Sequence, residues 1–254
     1  MRHLAAAIGI LAVIALGVWA ALASEPEREI GSYVTCLKGR TDSQVFNADL
    51  ALRKINGTVI QPGATFSFLK TVGPWTADVG YVRAPVSYDG ELVESWGGGV
   101  CQTSTTLYNA TLLAGLEIVE RHRHHWPARY APVGRDAAVS YDDIDLKFRN
   151  NLPAPVRIVG EIRGGKMVFR MLSTHRPEYS VRVESENRSV TMASEVIQQG
   201  EIEGPRRLKV INKGHPGFQV ATYRTFISPK GARRQLISED RYPTMNRIVR
   251  IGNE

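Results

Sequence analysis

WGGGVCQTSTTLYNATLLAG, Trp96 to Gly115, changes character halfway along. Three glycines lead up to Cys101, and from there Leu107, Ala110 and Ala114 fall on one face of a helix that Gly115 ends. The spacing predicts a helix from Cys101 to about Leu113, and everything around it is read relative to that helix. Upstream, Val45, Ala48, Leu52 and Ile55 mark another helix, with Asp42 as N-cap and Gly57 just past its end. Between the helices the apolar period falls to two: Val59-Ile60, Phe66-Ser67-Phe68, and Val82 to Leu92 around an Asp89-Gly90 turn. Downstream the chain reads as extended from Glu117. Further strands are expected at Ile144 to Phe148, Val156 to Ile162 and Met167 to Leu172, separated by Asn150-Asn151 and Gly164-Gly165. Beyond His175-Arg176-Pro177 come short strands punctuated by Pro, Gly and Asn. The expected fold class is α+β: a cysteine at the N-terminus of a central helix packed on antiparallel strands, followed by a small all-β domain. The expected division is a targeting segment at 1–23, a linker at 24–30, a main domain at 31–176 and the small β domain at 177–254.

The targeting segment is Leu4 to Leu22, apolar throughout and preceded only by Met1, Arg2 and His3. It reads as a signal peptide or as an uncleaved N-terminal membrane anchor, and both place the rest of the chain outside the cytoplasm. The hydrophobic fraction of 43% and charged fraction of 22% exclude disordered and fibrous classes. The formal net charge is +7, with basic residues gathered late, among them Arg206, Arg207, Lys209, Arg233, Arg234 and Arg250. Outside a cell, that sign attracts anionic wall polymers or lipid headgroups, and the export signal argues against nucleic acid. Only Cys36 and Cys101 are present, and an exported pair is by default a disulfide.

The surroundings of Cys101 compete with that default. Glycines such as Gly98 and Gly99 let backbone amides approach a reacting carbonyl, as an oxyanion site requires. A helix N-terminus favours negative charge and lowers a thiol pKa, so the arrangement suits a nucleophilic cysteine. A base is expected from Arg121-His122-Arg123-His124-His125. On a strand His122 and His124 share a face, and either can meet the thiol. Asp136 and Asp145 are the candidates to orient the ring, Arg135 is a candidate for recognising a substrate carboxylate, and Gln102 flanks the nucleophile. No metal or cofactor motif is present, so none is expected.

NGTVIQPGATFSF, GGGVCQTSTTLYNATLLAGLEIVERHRHHWP, GRDA and DLKFRNN closely resemble the VanW family, named for a glycopeptide-resistance cluster, from about Ser43 to Ile158. The resemblance implies an extracytoplasmic role in peptidoglycan metabolism, and some members are reported as cysteine L,D-transpeptidases. It places the family cysteine at Cys101 and the His-x-His pattern at His122 and His124. His125 departs from the small polar residue common there. Cys36 is unexpected and leaves open a disulfide with Cys101. The tail from about Lys209 to Gly252, ending MNRIVRIG, resembles the small G-five module, which implies wall-glycan contact. The expectation is acyl transfer on peptidoglycan stem peptides through a Cys101 thioester, with His124 as base and Asp136 as orienter. The alternative is a non-catalytic peptidoglycan-binding or glycopeptide-resistance accessory protein.

Overall fold

The structure is a computed structural model and describes residues 25–88, 91–141, 143–202 and 207–252. The targeting segment and the Asp89-Gly90 turn lie outside the described residues. The expectation of a membrane anchor, and of a membrane as partner, is corrected. Among the described residues no helix is long and apolar enough to cross a membrane, and the apolar run that prompted it falls where nothing is described.

The scaffold is a four-stranded antiparallel sheet in the order β1 (Arg28–Cys36), β9 (Lys166–Ser173), β8 (Val156–Arg163), β2 (Val59–Ile60). β1 begins within the stretch read as linker, because Arg28 to Cys36 pair along β9. Two helices pack on this sheet: α1 (Asp42–Ile55) and α3 (Val100–Leu113), with the short α2 (Phe68–Val72) beside them. Ala48, Leu52 and Ile55 of α1 and Leu107, Ala110 and Leu112 of α3 are buried with Ile158, Phe169 and Met171 of the sheet. Helices on antiparallel sheets make the architecture α+β.

Thr41, not Asp42, caps α1. Its hydroxyl accepts from the Gln44 amide at 3.2 Å while the Gln44 side chain accepts from the Thr41 amide at 3.1 Å. Asp42 falls in the first turn, where its charge still suits the helix dipole.

A hairpin of β4 (Arg83–Tyr88) and β5 (Glu91–Trp96) delivers the glycines to α3. After α3 come β6 (Glu117–Glu120) and β7 (Lys147–Arg149), which with β3 (Thr65–Ser67) form a three-stranded sheet in the order β3, β7, β6. β6 is shorter than expected and stops before the histidines. The expected strand from Ile144 is likewise only β7, with Ile144 itself bridged to Ser140.

Beyond Pro177 every described element is a strand. β10 (Ser180–Thr191), β13 (Gly217–Ser228) and β14 (Gly231–Tyr242) form one antiparallel sheet in the order β10, β13, β14. β11 (Glu195–Gln199) and β12 (Leu208–Asn212) flank β15 (Arg247–Ile251), with β11 parallel to it. The first of these sheets lies against the end of α3 and the loop at 134–136, which makes it part of the site's surroundings.

Candidate active site

Cys101 is the second residue of α3, and the glycines before it are required by close packing. Gly99 has φ of 109°, and a Cβ there would stand 2.2 Å from the Gln44 carbonyl oxygen of α1. A Cβ on Gly98 would stand 2.8 Å from the carbonyl oxygens of Ala84 and Pro85. Any side chain at either position pushes the start of α3 off its neighbours. The Val100 and Gln102 amides are taken by the carbonyls of Gly97 and Gly99, each at 3.0 Å. Between them the Cys101 amide donates no backbone hydrogen bond among the described residues.

The first turns of α3 carry Gln102, Thr103, Ser104, Thr105 and Thr106, all buried although polar. Two of them grip the segment that carries Asp136. Ser104 Oγ donates to the Ala137 carbonyl at 2.7 Å, and the Ala137 amide donates to Thr105 Oγ1 at 3.0 Å. One turn on, Asn109 Nδ2 donates to the Arg135 carbonyl at 2.8 Å. The helix that bears the thiol thus also fixes the acid.

Asp136 is 1% exposed and meets several donors. His124 gives it both a backbone N–H, at 2.7 Å to Oδ2, and ring Nδ1, at 2.6 Å to the same oxygen. Tyr242 Oη donates to Oδ1 at 2.5 Å and Arg121 Nη2 to Oδ1 at 3.3 Å. The Asp136 carboxyl pKa is lowered to about 2: burial opposes ionisation, and the hydrogen bond and charge of His124 with the charge of Arg121 overcome it.

With Nδ1 committed to Asp136, Nε2 is the ring nitrogen left for Cys101. Burial disfavours the imidazolium, but hydrogen bonds to Asp136 and Cys101 and their charges raise the His124 pKa to about 10. For Cys101, burial pushes the thiol up, and the hydrogen bond and charge of His124 more than reverse it, leaving the pKa lowered. Cys101 Sγ is 3.4 Å from the Val139 carbonyl oxygen. The two cysteines are unpaired, Cys36 exposed and Cys101 half-buried. The geometry suits a thiolate–imidazolium pair oriented by a carboxylate.

His122 and His124 do not share a strand face. β6 ends before them, and only His122 is bridged, to Ala138; the Arg121 guanidinium between turns inward, Nε to the Asp136 carbonyl at 2.6 Å and Nη1 to Asp240 Oδ1 and Oδ2 at 2.6 and 2.7 Å. The His124 amide is likewise spent on Asp136 and not on a strand partner. His122 is exposed and bonds Glu120 at 3.0 Å. Asp145 is elsewhere, accepting from Ser67 Oγ at 2.6 Å and the Leu69 amide at 2.9 Å at the start of α2. The Arg135 guanidinium donates to Asn109 Oδ1 at 2.7 Å and stacks over Tyr33 at 5.1 Å. Gln102 is inside, bonded to Arg40, Thr35 and the Cys36 carbonyl.

Sequence reading missed Arg121, Tyr242 and Asp240. The last two lie in β14, more than a hundred residues from His124, and no local signal connects them. Gly134 marks the meeting: it has φ of 85°, and a Cβ there would stand 2.7 Å from Thr222 Oγ1 of β13. Its amide donates to Tyr242 Oη at 3.1 Å, and Thr222 Oγ1 donates to its carbonyl at 3.0 Å.

Compared with known proteins, residues 43–172 match a family model described as VanW like protein. The chain is 40% identical over 153 residues to the uncharacterized protein YoaR of Bacillus subtilis (strain 168), covering 60% of this chain and 50% of that one. It is 32% identical over 142 residues to the vancomycin B-type resistance protein VanW of Enterococcus faecalis (strain ATCC 700802 / V583), covering 54% of this chain and 52% of that one. The chain therefore spans about half the length of the curated relatives it matches. Among solved structures, an IgA1 protease G5 domain aligns at 25% identity and a TM-score of 0.23, covering 32% of this chain and 95% of that one.

Proposed function

The chain belongs to the VanW family, and on that premise we propose that it is an extracytoplasmic cell-wall protein whose Cys101 carries out acyl transfer on peptidoglycan stem peptides. The observation that carries the reading is the series Asp136, His124, Cys101. A buried carboxylate fixes one ring nitrogen at 2.6 Å, and the hydrogen bond and charge of the same ring lower the pKa of a half-buried thiol.

The Cys101 thiolate adds to the carbonyl carbon of a stem-peptide amide, and the oxyanion is met by the Cys101 amide left without a backbone partner. The imidazolium of His124 gives its proton to the departing amine as the C–N bond breaks, which leaves a thioester on Cys101. A second amine then attacks, His124 takes its proton, and a new amide replaces the thioester. Water in place of the amine makes the protein a peptidase. Asp136 holds the ring orientation and stays ionised throughout. Residues 177–254 are proposed as a G-five-like β unit that contacts wall glycan, its basic residues favouring anionic polymer.

The second reading is a non-catalytic peptidoglycan-binding or resistance accessory protein. The comparisons favour it over the enzyme reading, since the relatives' names state resistance or nothing and no activity. The enzyme reading rests on site geometry alone. Incubating the purified protein with muropeptides and weighing both by mass spectrometry separates the two. Acyl transfer predicts a covalent adduct on Cys101 and a new crosslink or a shortened peptide, all absent in Cys101→Ser. Retention of muropeptide without any adduct or product overturns catalysis.

A further inference from the structure

Gln102, the residue after Cys101, holds a cation that the mechanism does not use. Arg40 precedes α1, and its Nε donates to Gln102 Oε1 at 2.9 Å. Its guanidinium carbon lies 4.9 Å from the centroid of the Tyr130 ring. Gln102 is the residue after Cys101, is 2% exposed, and is itself held through Nε2 by Thr35 Oγ1 at 3.1 Å and the Cys36 carbonyl at 3.0 Å. Tyr130 is half-buried and feels the charges of both Cys101 and Arg40. Arg40 is half-buried, and among the described residues it makes no ion pair with any carboxylate.

A guanidinium keeps its charge at every physiological pH and presents its N–H groups as a planar fork that fits a carboxylate with two parallel bonds. In Arg40 one N–H is spent on a rigid amide and one face on an aromatic ring. The outer edge of the fork is thereby fixed in direction and left without an anion. Arg121 and Arg157 show the contrast: each has its carboxylate, Asp240 and Glu27.

We propose that Arg40, backed by Gln102 and Tyr130, is the carboxylate-binding residue of the substrate site, so that Cys101 acts on peptides carrying a free carboxylate near the scissile amide. The inference rests on the reading of Cys101 as the reacting group. The carboxylate has two possible sources in a peptide, its C-terminus and an acidic side chain, and their chemistry toward Arg40 is the same. Arg135, the arginine that the sequence singled out for this task, is occupied by Asn109 and Tyr33, whereas Arg40 carries no local sequence signal because its partners come from α3 and the loop at 130.

The test is calorimetric binding to the Cys101→Ala protein, which cannot turn over, of three synthetic stem peptides: one with all carboxylates free, one amidated at the C-terminus, and one amidated at its acidic side chain. One of the two amidated peptides is expected to bind roughly ten- to a hundredfold more weakly than the free peptide, as loss of a charged hydrogen-bonded pair implies. Which one it is identifies the source. Arg40→Met in the same background is expected to erase the difference, and Arg40→Lys to restore part of it. Equal binding of all three peptides overturns the proposal without need of any Arg40 variant, as does a difference that survives Arg40→Met. Thioester formation by the wild-type protein that is indifferent to amidation also overturns it and leaves acyl transfer standing. Arg40-dependent binding by a wild-type protein that never forms a thioester supports the carboxylate site and overturns acyl transfer.

Discussion

Asp136 Oδ2 accepts two N–H groups from one histidine, which pins that residue at both backbone and ring. Removing its charge therefore disturbs position and pKa together. Cys101→Ser is expected to abolish adduct and product while leaving thermal unfolding unchanged, and His124→Ala to lower turnover by roughly 10²–10⁴. His122→Ala is expected to lower it far less, since that ring faces solvent and Glu120. Alkylation of Cys101 by iodoacetamide as a function of pH checks the electrostatics. In the wild type, reactivity is expected to persist below the ordinary thiol range. In His124→Ala burial remains and its compensation is gone, so the midpoint moves up. A midpoint that stays put overturns the ion-pair account. Stability follows the same pair with opposite limbs. The His124 pKa is raised from 6.5 to about 10, so its contribution is whole below about 6.5 and lost as pH climbs through about 10. The Asp136 pKa is lowered from 3.8 to about 2, so its contribution is whole above about 3.8 and lost as pH falls through about 2. Asp136→Asn is expected to flatten the alkaline loss in denaturation curves taken across this range. The place of Cys101 at the start of α3 was legible in the sequence, because the helical period begins there straight after three glycines. Which histidine meets it was not, since both lie beyond β6, where His122 bonds Glu120 and His124 bonds the distant Asp136.

The periodicity of α3 shows its apolar face, and that face is in the core. Its polar run QTSTT is buried because each hydroxyl finds a partner: Ser104 and Thr105 on the Ala137 backbone, Thr103 on the Ala48 carbonyl and Thr106 on the Gln102 carbonyl. Periodicity ranks residues by affinity for water and carries no information about a loop that supplies the missing partners. Thr105→Val keeps the shape and removes the acceptor for the Ala137 amide. It is expected to cost about 1–3 kcal/mol in urea denaturation and to reduce turnover by loosening Asp136. At the other end of α3, Arg224 of β13 donates from Nη1 to the Leu116 carbonyl at 2.6 Å and lies 3.5 Å from that of Leu112. A buried cation at a helix C-terminus suits the dipole, and Arg224→Met is expected to cost about 1–3 kcal/mol, read in the same denaturation. The first helix was legible except for its cap. Thr41 and Asp42 are adjacent capping residues, and only the return bond from Gln44 decides between them.

In the whole molecule, the β10–β13–β14 sheet supplies Tyr242 to Asp136, Asp240 to Arg121 and Arg224 to the end of α3. Beyond Pro177 the sequence suggested strands alone, but expected them short, whereas β10, β13 and β14 each run to twelve residues; their contacts with α3 and the loop at 134–136 leave no periodic trace. Tyr242→Phe deletes a donor to Asp136 and is expected to lower turnover without unfolding the chain, with near-UV circular dichroism as the check on folding. A chain ending before Pro177 is expected to show Cys101 alkylation only in the ordinary thiol pH range. The bond from Tyr242 to Asp136 also orders events in time. A ribosome releases Cys101 long before Tyr242, and Tyr242 is the last residue of the last strand in its sheet. Until that strand is laid down, Asp136 lacks the Tyr242 hydroxyl that helps to hold it. On the reading of Cys101 as the reacting group, its site is complete in a newborn chain only after the ribosome has passed Tyr242.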